Sequence, residues 1–162
     1  MEANDLISLA REALARLETK GLKLAIAESL TGGLIGHILT ETSGASRVFL
    51  GGVVAYDNRL KERIGVSRQT LDQHGAVSEQ TAAEMAQGIR AWTGADISLA
   101  VTGIAGPGGA TETKPLGLTY VAVADENGIA CERFQWSEDR SANKRSTGEA
   151  ALKLVIRAIA ER

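Results

Sequence analysis

Cysteine is almost absent from this chain: Cys131 is the only one in 162 residues. A lone cysteine cannot form an internal disulfide, and such usage fits a reducing compartment. In an apparent strand, its thiol reads as a small packed hydrophobe. Histidines are scarce too, at two, His37 and His74. Neither has a carboxylate partner at a neighbouring motif, so a Ser-His-acid arrangement has little to draw on. His37 lies mid-helix, where packing or exposure is its ordinary role, and His74 precedes a turn. No His/Cys/Asp/Glu cluster has metal-ligand spacing, and neither a metal nor a cofactor is expected. Charge of one sign is lacking: 18 basic residues face 20 acidic ones, without a basic stripe. Nucleic acid is therefore a poor partner. No apolar run approaches the roughly 20 residues of a membrane span. Residues 1–5 lack the basic start and apolar core of a signal peptide, so the expected location is cytoplasmic. Aromatics make up only 4%, and the core must come from Ala, Val, Leu and Ile.

Glycine is plentiful, at 18 residues, and it gathers at candidate loops. Between the loops, periodicity gives the elements. Asn4 or Asp5 can cap a first helix with Leu6, Leu9, Leu14 and Leu17 at helical spacing, stopped by Gly21. Residues 23–28 read as a buried strand, 31–42 as helix, 48–56 as a second strand and 58–64 as a short helical piece. Ser67 can cap another helix. Ser78 caps residues 79–92, whose apolar face is Ala82, Met85, Ala86, Ile89 and Trp92. A strand at 97–101 precedes a glycine-rich loop, 103–115. Strands at 118–124 and 129–135 flank an Asn127-Gly128 step, a hairpin signal. An alanine-rich helix covers 141–162. The order predicts one domain over 1–162, a layered α/β sandwich with a mixed, partly parallel sheet flanked by helices.

Three constellations can carry chemistry. The first is Glu28-Ser29-Leu30-Thr31-Gly32-Gly33, a strand feeding a helix through a tight turn. Ser29 is a nucleophile at a sheet edge, or the stretch is an anion cradle, or both. Thr31 orients Ser29 or caps the helix, and the Gly32 and Gly33 N–H groups can face an anion. A plain strand-to-helix turn fits the spacing equally well. The stretch is neither a Gly-x-Ser-x-Gly elbow nor a P-loop. The second is residues 51–61, which close a strand on Tyr56 and place Lys61 a turn later. A desolvated lysine can serve a serine as base, with tyrosine relaying the proton or holding the amine. The alternative pairs Lys61 with Asp57 on a solvated helix face. The third is Thr102-Gly103-Ile104-Ala105-Gly106-Pro107-Gly108-Gly109, a strand-end loop whose N–H groups can bind a carbonyl oxygen, an oxyanion or a phosphate; the alternative is a flexible crossover loop. Near the last helix, Arg140 and Lys144 share a face, with Arg145 beside them. They can meet a phosphate or simply face solvent.

Together these motifs resemble the C-terminal domain family of the competence/damage-inducible protein CinA. The matching segments are residues 27–33, 51–58 with Lys61, 75–78, 100–107, 114–117 and the Asp139-Arg140 helix start. The likeness spans about residues 6–159. It implies hydrolysis of the carboxamide of nicotinamide mononucleotide (NMN), giving nicotinate mononucleotide and ammonia. By that likeness Ser29 is the nucleophile, Tyr56 and Lys61 activate it, and the Thr102-Gly103 loop holds the substrate. The likeness also points to self-association. Some relatives carry an additional N-terminal domain with a separate nucleotide-pyrophosphate activity, which a chain of this length is expected to lack. Two positions depart from the family pattern. Ala110 replaces a glycine, which matters if that position needs positive φ. Lys144 stands where an arginine is usual, and lysine cannot reproduce a planar two-pronged grip. Two rivals remain: a nucleotide-binding module without turnover, and an enzyme cleaving the N-glycosidic bond, for which Glu28 or Asp57 would supply the carboxylate.

Overall fold

A computed structural model of the chain describes residues 3–162. Its element order is α1 (Ala3–Lys20), β1 (Leu24–Glu28), α2 (Leu34–Thr40), a single 3-10 turn (Ala45–Arg47), β2 (Phe49–Val54), α3 (Asn58–Arg63), α4 (Arg68–His74), α5 (Glu79–Thr93), β3 (Ile97–Gly103), β4 (Leu118–Asp125), β5 (Gly128–Gln135) and α6 (Arg140–Ala160). The strands form one five-stranded sheet in the order β2-β1-β3-β4-β5. β1 runs parallel to both β2 and β3, whereas β3, β4 and β5 are antiparallel in turn. The expected mixed sheet is therefore present, parallel on the β1 side and antiparallel toward β5. Among the described residues no helix is long and apolar enough to cross a membrane.

Alternation along β1 sorts its side chains between two cores. Leu24 and Ile26 join Leu6, Leu17, Leu99, Val121, Leu152 and Val155 beneath α1, α2 and α6. Ala25 and Ala27 join Ala100, Ala122, Met85 and Ile89 beneath α5. With both faces covered, β1 is buried throughout, which explains its unbroken apolar run. Gly88 brings α5 close to the end of α3: an added Cβ there would fall 1.6 Å from the Ile64 carbonyl oxygen. Only glycine permits that approach.

Several boundaries differ from the sequence reading. Ala3 is already helical, so Asn4 and Asp5 lie within α1 rather than capping it. α2 begins at Leu34, not residue 31, because Gly32 and Gly33 take φ of 61° and 100°, outside the helical region. Ser67 and Ser78 do cap α4 and α5, each accepting an N–H three residues on. Trp92 is not on the buried face of α5; its residue is 69% exposed. The β4–β5 hairpin closes at the Asp125–Gly128 pair. Cys131 packs against the α5 core, and burial pushes its thiol up to about 12, consistent with an inert group.

Candidate active site

β1 ends at Glu28, and the sheet holds the chain for one more residue. The Ser29 amide donates to the Val101 carbonyl at 3.1 Å. The backbone then turns, with the Gly32 amide donating to the Ser29 carbonyl at 3.1 Å. This presents Ser29 at the carboxyl edge of parallel β1 and β3, where open α/β sheets place their ligands.

Lys61 reaches that edge from the other side. Asp57 caps α3 by accepting the Arg59 amide at 2.8 Å, and Lys61 follows on the helix. Its residue is only 1% exposed. Its Nζ lies 3.0 Å from Ser29 Oγ, 2.7 Å from the Ala55 carbonyl and 3.1 Å from the Tyr56 carbonyl. The alternative pairing with Asp57 is not formed. That carboxylate instead takes Arg59 at 2.9 Å, whose hydrogen bonds hold it below its ordinary pKa. Burial lowers the Lys61 pKa from 10.5 to about 8, against a smaller upward pull from the Asp57 charge.

The three oxygen partners fit both forms of the amine: an ammonium donates to Ser29 Oγ and to the two carbonyls, and loss of one proton leaves a form that can act as base. Uncharged Nζ carries two N–H groups and one lone pair. The two carbonyls can only accept, so they take the N–H groups. The lone pair is left for the Ser29 hydroxyl, in the arrangement a general base needs before proton transfer.

Tyr56 stands at the mouth with its residue 61% exposed. Its phenol oxygen lies 3.4 Å from Arg140 Nη2. No hydrogen bond joins that phenol to Ser29 or Lys61 among the described residues; the main-chain carbonyl of Tyr56 is what holds the amine. Arg140, in the first turn of α6, also donates to the Gly106 carbonyl at 2.8 Å. Asn143, one turn later, donates to the Ala105 carbonyl at 3.0 Å. α6 thereby clamps the glycine-rich loop in place. Lys114 ties the far end of that loop to the His74 carbonyl.

Between these parts lies a cavity of about 230 Å³. Ser29, Lys61, Tyr56, Thr102, Gly103, Ala105 and Arg140 line it, as the sequence reading expects. Ile104, Gly108 and Gly109 of the glycine-rich loop line it as well, and so do Leu30, Ala76 and Val77, to which the sequence alone assigns no cavity role. Ala76 and Val77 belong to a matching family segment, which was the available signal. The Thr102 hydroxyl is committed to the Ala76 carbonyl at 2.6 Å, so it fixes that wall.

Other expected binding residues lie elsewhere. Thr31 neither caps α2 through its side chain nor touches Ser29 Oγ; its hydroxyl donates to Glu28 Oε2 at 2.6 Å. The Gly33 amide also goes to Glu28, and the Gly32 amide to Ser29, so neither faces a ligand. Gly106 serves through its carbonyl rather than in the cavity wall. Lys144 and Arg145 are absent from the wall, and Lys144 Nζ would lie 3.7 Å from a Cβ on Gly32. Ala110 does not disturb the loop: positive φ falls on glycines alone, including Gly109 at 93°.

No carboxylate lines the cavity. Glu28 is buried beneath the Ser29 turn, and Asp57 faces outward toward Arg59. Glycosidic cleavage therefore loses both of its candidate groups. Among the described residues no group of His, Cys, Asp and Glu could hold a metal ion.

Comparison with known proteins agrees with this architecture. The family described as "CinA C-terminal domain" matches residues 6–159. A putative competence-damage inducible protein of Desulforudis audaxviator is 50% identical over 137 residues, covering 84% of this chain and 33% of the relative. The chain thus spans about a third of the length of such relatives. Among solved structures, the competence/damage inducible protein CihA of Agrobacterium tumefaciens superposes with a TM-score of 0.92 at 39% identity, over 96% of each chain. A CinA superfamily protein from Klebsiella pneumoniae gives a TM-score of 0.93 at 29% identity, over 97% of this chain and 99% of that one. The chain belongs to the CinA C-terminal domain family.

Proposed function

We propose that the chain is an amidohydrolase that converts NMN to nicotinate mononucleotide and ammonia. The observation that carries this reading is the 3.0 Å contact between Ser29 Oγ and a buried lysine amine at the wall of the cavity. A serine hydroxyl is a weak nucleophile until a base takes its proton. Lys61, with its pKa lowered to about 8, is suited to that task.

In the proposed sequence, Ser29 Oγ attacks the carboxamide carbon as its proton passes to Lys61 Nζ. The carbonyl oxygen becomes an oxyanion. Leu30, next to the nucleophile, lines the cavity, and its amide has no hydrogen-bond partner among the described residues, making it a candidate donor. Collapse of the intermediate breaks the C–N bond. Lys61 returns its proton to the departing nitrogen, which leaves as ammonia. Water then attacks the acyl-serine ester, giving one proton to Lys61 and its oxygen to the carboxylate product. Ser29 recovers its proton from Lys61.

Arg140 would receive the phosphate at the mouth. Two of its N–H groups are engaged by Gly106 and Tyr56, which leaves others of its five for a ligand. The phenol of Tyr56 would hold Arg140 in position. All these groups belong to one chain, so self-association would not be needed to complete the site.

Incubating the protein with NMN and identifying the products tests the reading. Ammonia with nicotinate mononucleotide is the expected outcome. Free nicotinamide would indicate glycosidic cleavage, and binding without products would indicate a nucleotide-binding module.

A further inference from the structure

Glu28 is a buried carboxylate with no part in the serine–lysine chemistry, at 2% exposure. A buried carboxylate is costly unless it is paired or fully hydrogen-bonded. No ion pair reaches Glu28 among the described residues. Four donors do. Oε2 accepts from Thr31 Oγ1 at 2.6 Å, the Gly33 amide at 3.1 Å and the Ile35 amide at 3.2 Å, and Oε1 accepts from the Gly36 amide at 2.8 Å.

These amides are the unpaired donors that open α2, whose own cap residue, Gly33, has no side chain to offer. A residue at the end of a strand thus caps the helix that follows it. The cap spans five to eight positions instead of the usual two or three. Ser29 lies inside the loop this cap closes. Its amide is fixed to Val101 and its carbonyl to Gly32, while the carboxylate before it is fixed to the helix beyond. The backbone from which the Ser29 side chain projects toward Lys61 is therefore set by this turn.

We infer that Glu28 is a positioning residue: by capping α2 from β1, its carboxylate holds the Ser29 hydroxyl against the Lys61 amine. The inference rests on the reading of Ser29 as nucleophile. A misplacement of about 1 Å can cost on the order of 10²-fold in rate. Glu28→Gln is the informative change, because it keeps size while altering one acceptor. Whichever way its amide turns, the NH2 faces at least one backbone N–H, and the turn must shift.

A fluorophosphonate reports on Ser29 without reference to any natural substrate. Ser29 Oγ attacks phosphorus, fluoride leaves, and the hydroxyl proton passes to Lys61. With folded protein quantified by circular dichroism, the wild-type chain should label at Ser29, and E28Q about 10–100-fold more slowly. The pH dependence of labelling should keep its midpoint near 8, since Glu28 makes no contact with Lys61. A purely structural role would lower thermal stability and leave the labelling rate of folded protein unchanged. Thr31→Val, which keeps Glu28 and removes one of its donors, should slow labelling by a smaller factor, about 3–10-fold. Equal labelling of wild type and folded E28Q overturns the role of Glu28 and leaves the nucleophile standing. If E28Q does not fold, equal labelling of T31V and wild type overturns it instead. A wild-type protein that does not label at Ser29 overturns both the nucleophile and this inference.

Discussion

Lys61 Nζ and Ser29 Oγ lie 3.0 Å apart although 32 positions separate them in the chain. The sheet makes the meeting possible. β1 delivers Ser29 to its carboxyl edge, parallel β2 ends at the same edge, and the turn into α3 folds Lys61 back over it. The two carbonyls that hold the amine belong to that turn, so Lys61 is fixed by the segment that carries it.

The pKa of Lys61 sets a pH dependence. The amine acts as base only when neutral, so kcat/KM should rise with pH through a midpoint near 8 and then level off. Lys61→Arg retains a cation that does not deprotonate in this range, and it should abolish the rise together with most of the activity. A pH–rate profile of both proteins checks this.

The same shift predicts a stability effect. Folding lowers the pKa of Lys61, so between about 8 and 10.5 the unfolded chain binds the proton and the folded chain does not. Stability contributed at this position therefore rises with pH across that window. The slope is at most on the order of 1.4 kcal/mol per pH unit. Urea unfolding of wild type and Lys61→Met at several pH values isolates it: the difference between them should move in favour of wild type from pH 8 to 10.5 and stay flat below 8.

Arg140 should act on binding of the phosphate. Arg140→Ala is expected to raise KM for NMN by about 10–100-fold, consistent with the loss of a charge-assisted contact. The same change should have a much smaller effect on the unphosphorylated riboside. Tyr56→Phe, which removes the hydrogen bond to Arg140 but keeps the ring, should show the same preference on a smaller scale. Steady-state kinetics on the two substrates separates these outcomes.

Gly88 should matter without touching the cavity. Gly88→Ala would press a methyl group against the Ile64 carbonyl, where a Cβ falls at 1.6 Å. The end of α3 or the axis of α5 must move. We expect a loss of stability of at least about 1–3 kcal/mol. Activity should fall as well, because α3 carries Lys61. Thermal unfolding and turnover measured on one preparation test both effects.

The layered fold was legible in the sequence because its signals are local. An unbroken apolar run marked β1, a mostly apolar one marked β3, Ser67 and Ser78 marked helix starts, and Asn127-Gly128 marked the hairpin. Ser29 and Lys61 were legible as residue types at strand and helix ends, although the choice between Ser29 and Asp57 as the lysine's partner needed the tertiary structure. What stayed hidden was side-chain reach. Thr31 and Gly33 look like a cap and an anion cradle, yet both serve the buried Glu28, which spacing does not reveal. Arg140, Lys144 and Arg145 look equivalent along α6, but only Arg140 lines the cavity. The Tyr56 phenol, expected beside the amine, turns toward Arg140 instead.

The central claim is that the Ser29 oxygen, activated by its lysine neighbour, opens the carboxamide of NMN. Ammonia release by wild type and by folded Ser29→Ala, measured side by side at pH 8.5 or above (about half a unit past the Lys61 midpoint), tests it most directly. The account predicts a fall of at least ~10³-fold in the variant. A folded Ser29→Ala protein that releases ammonia at nearly the wild-type rate would contradict it.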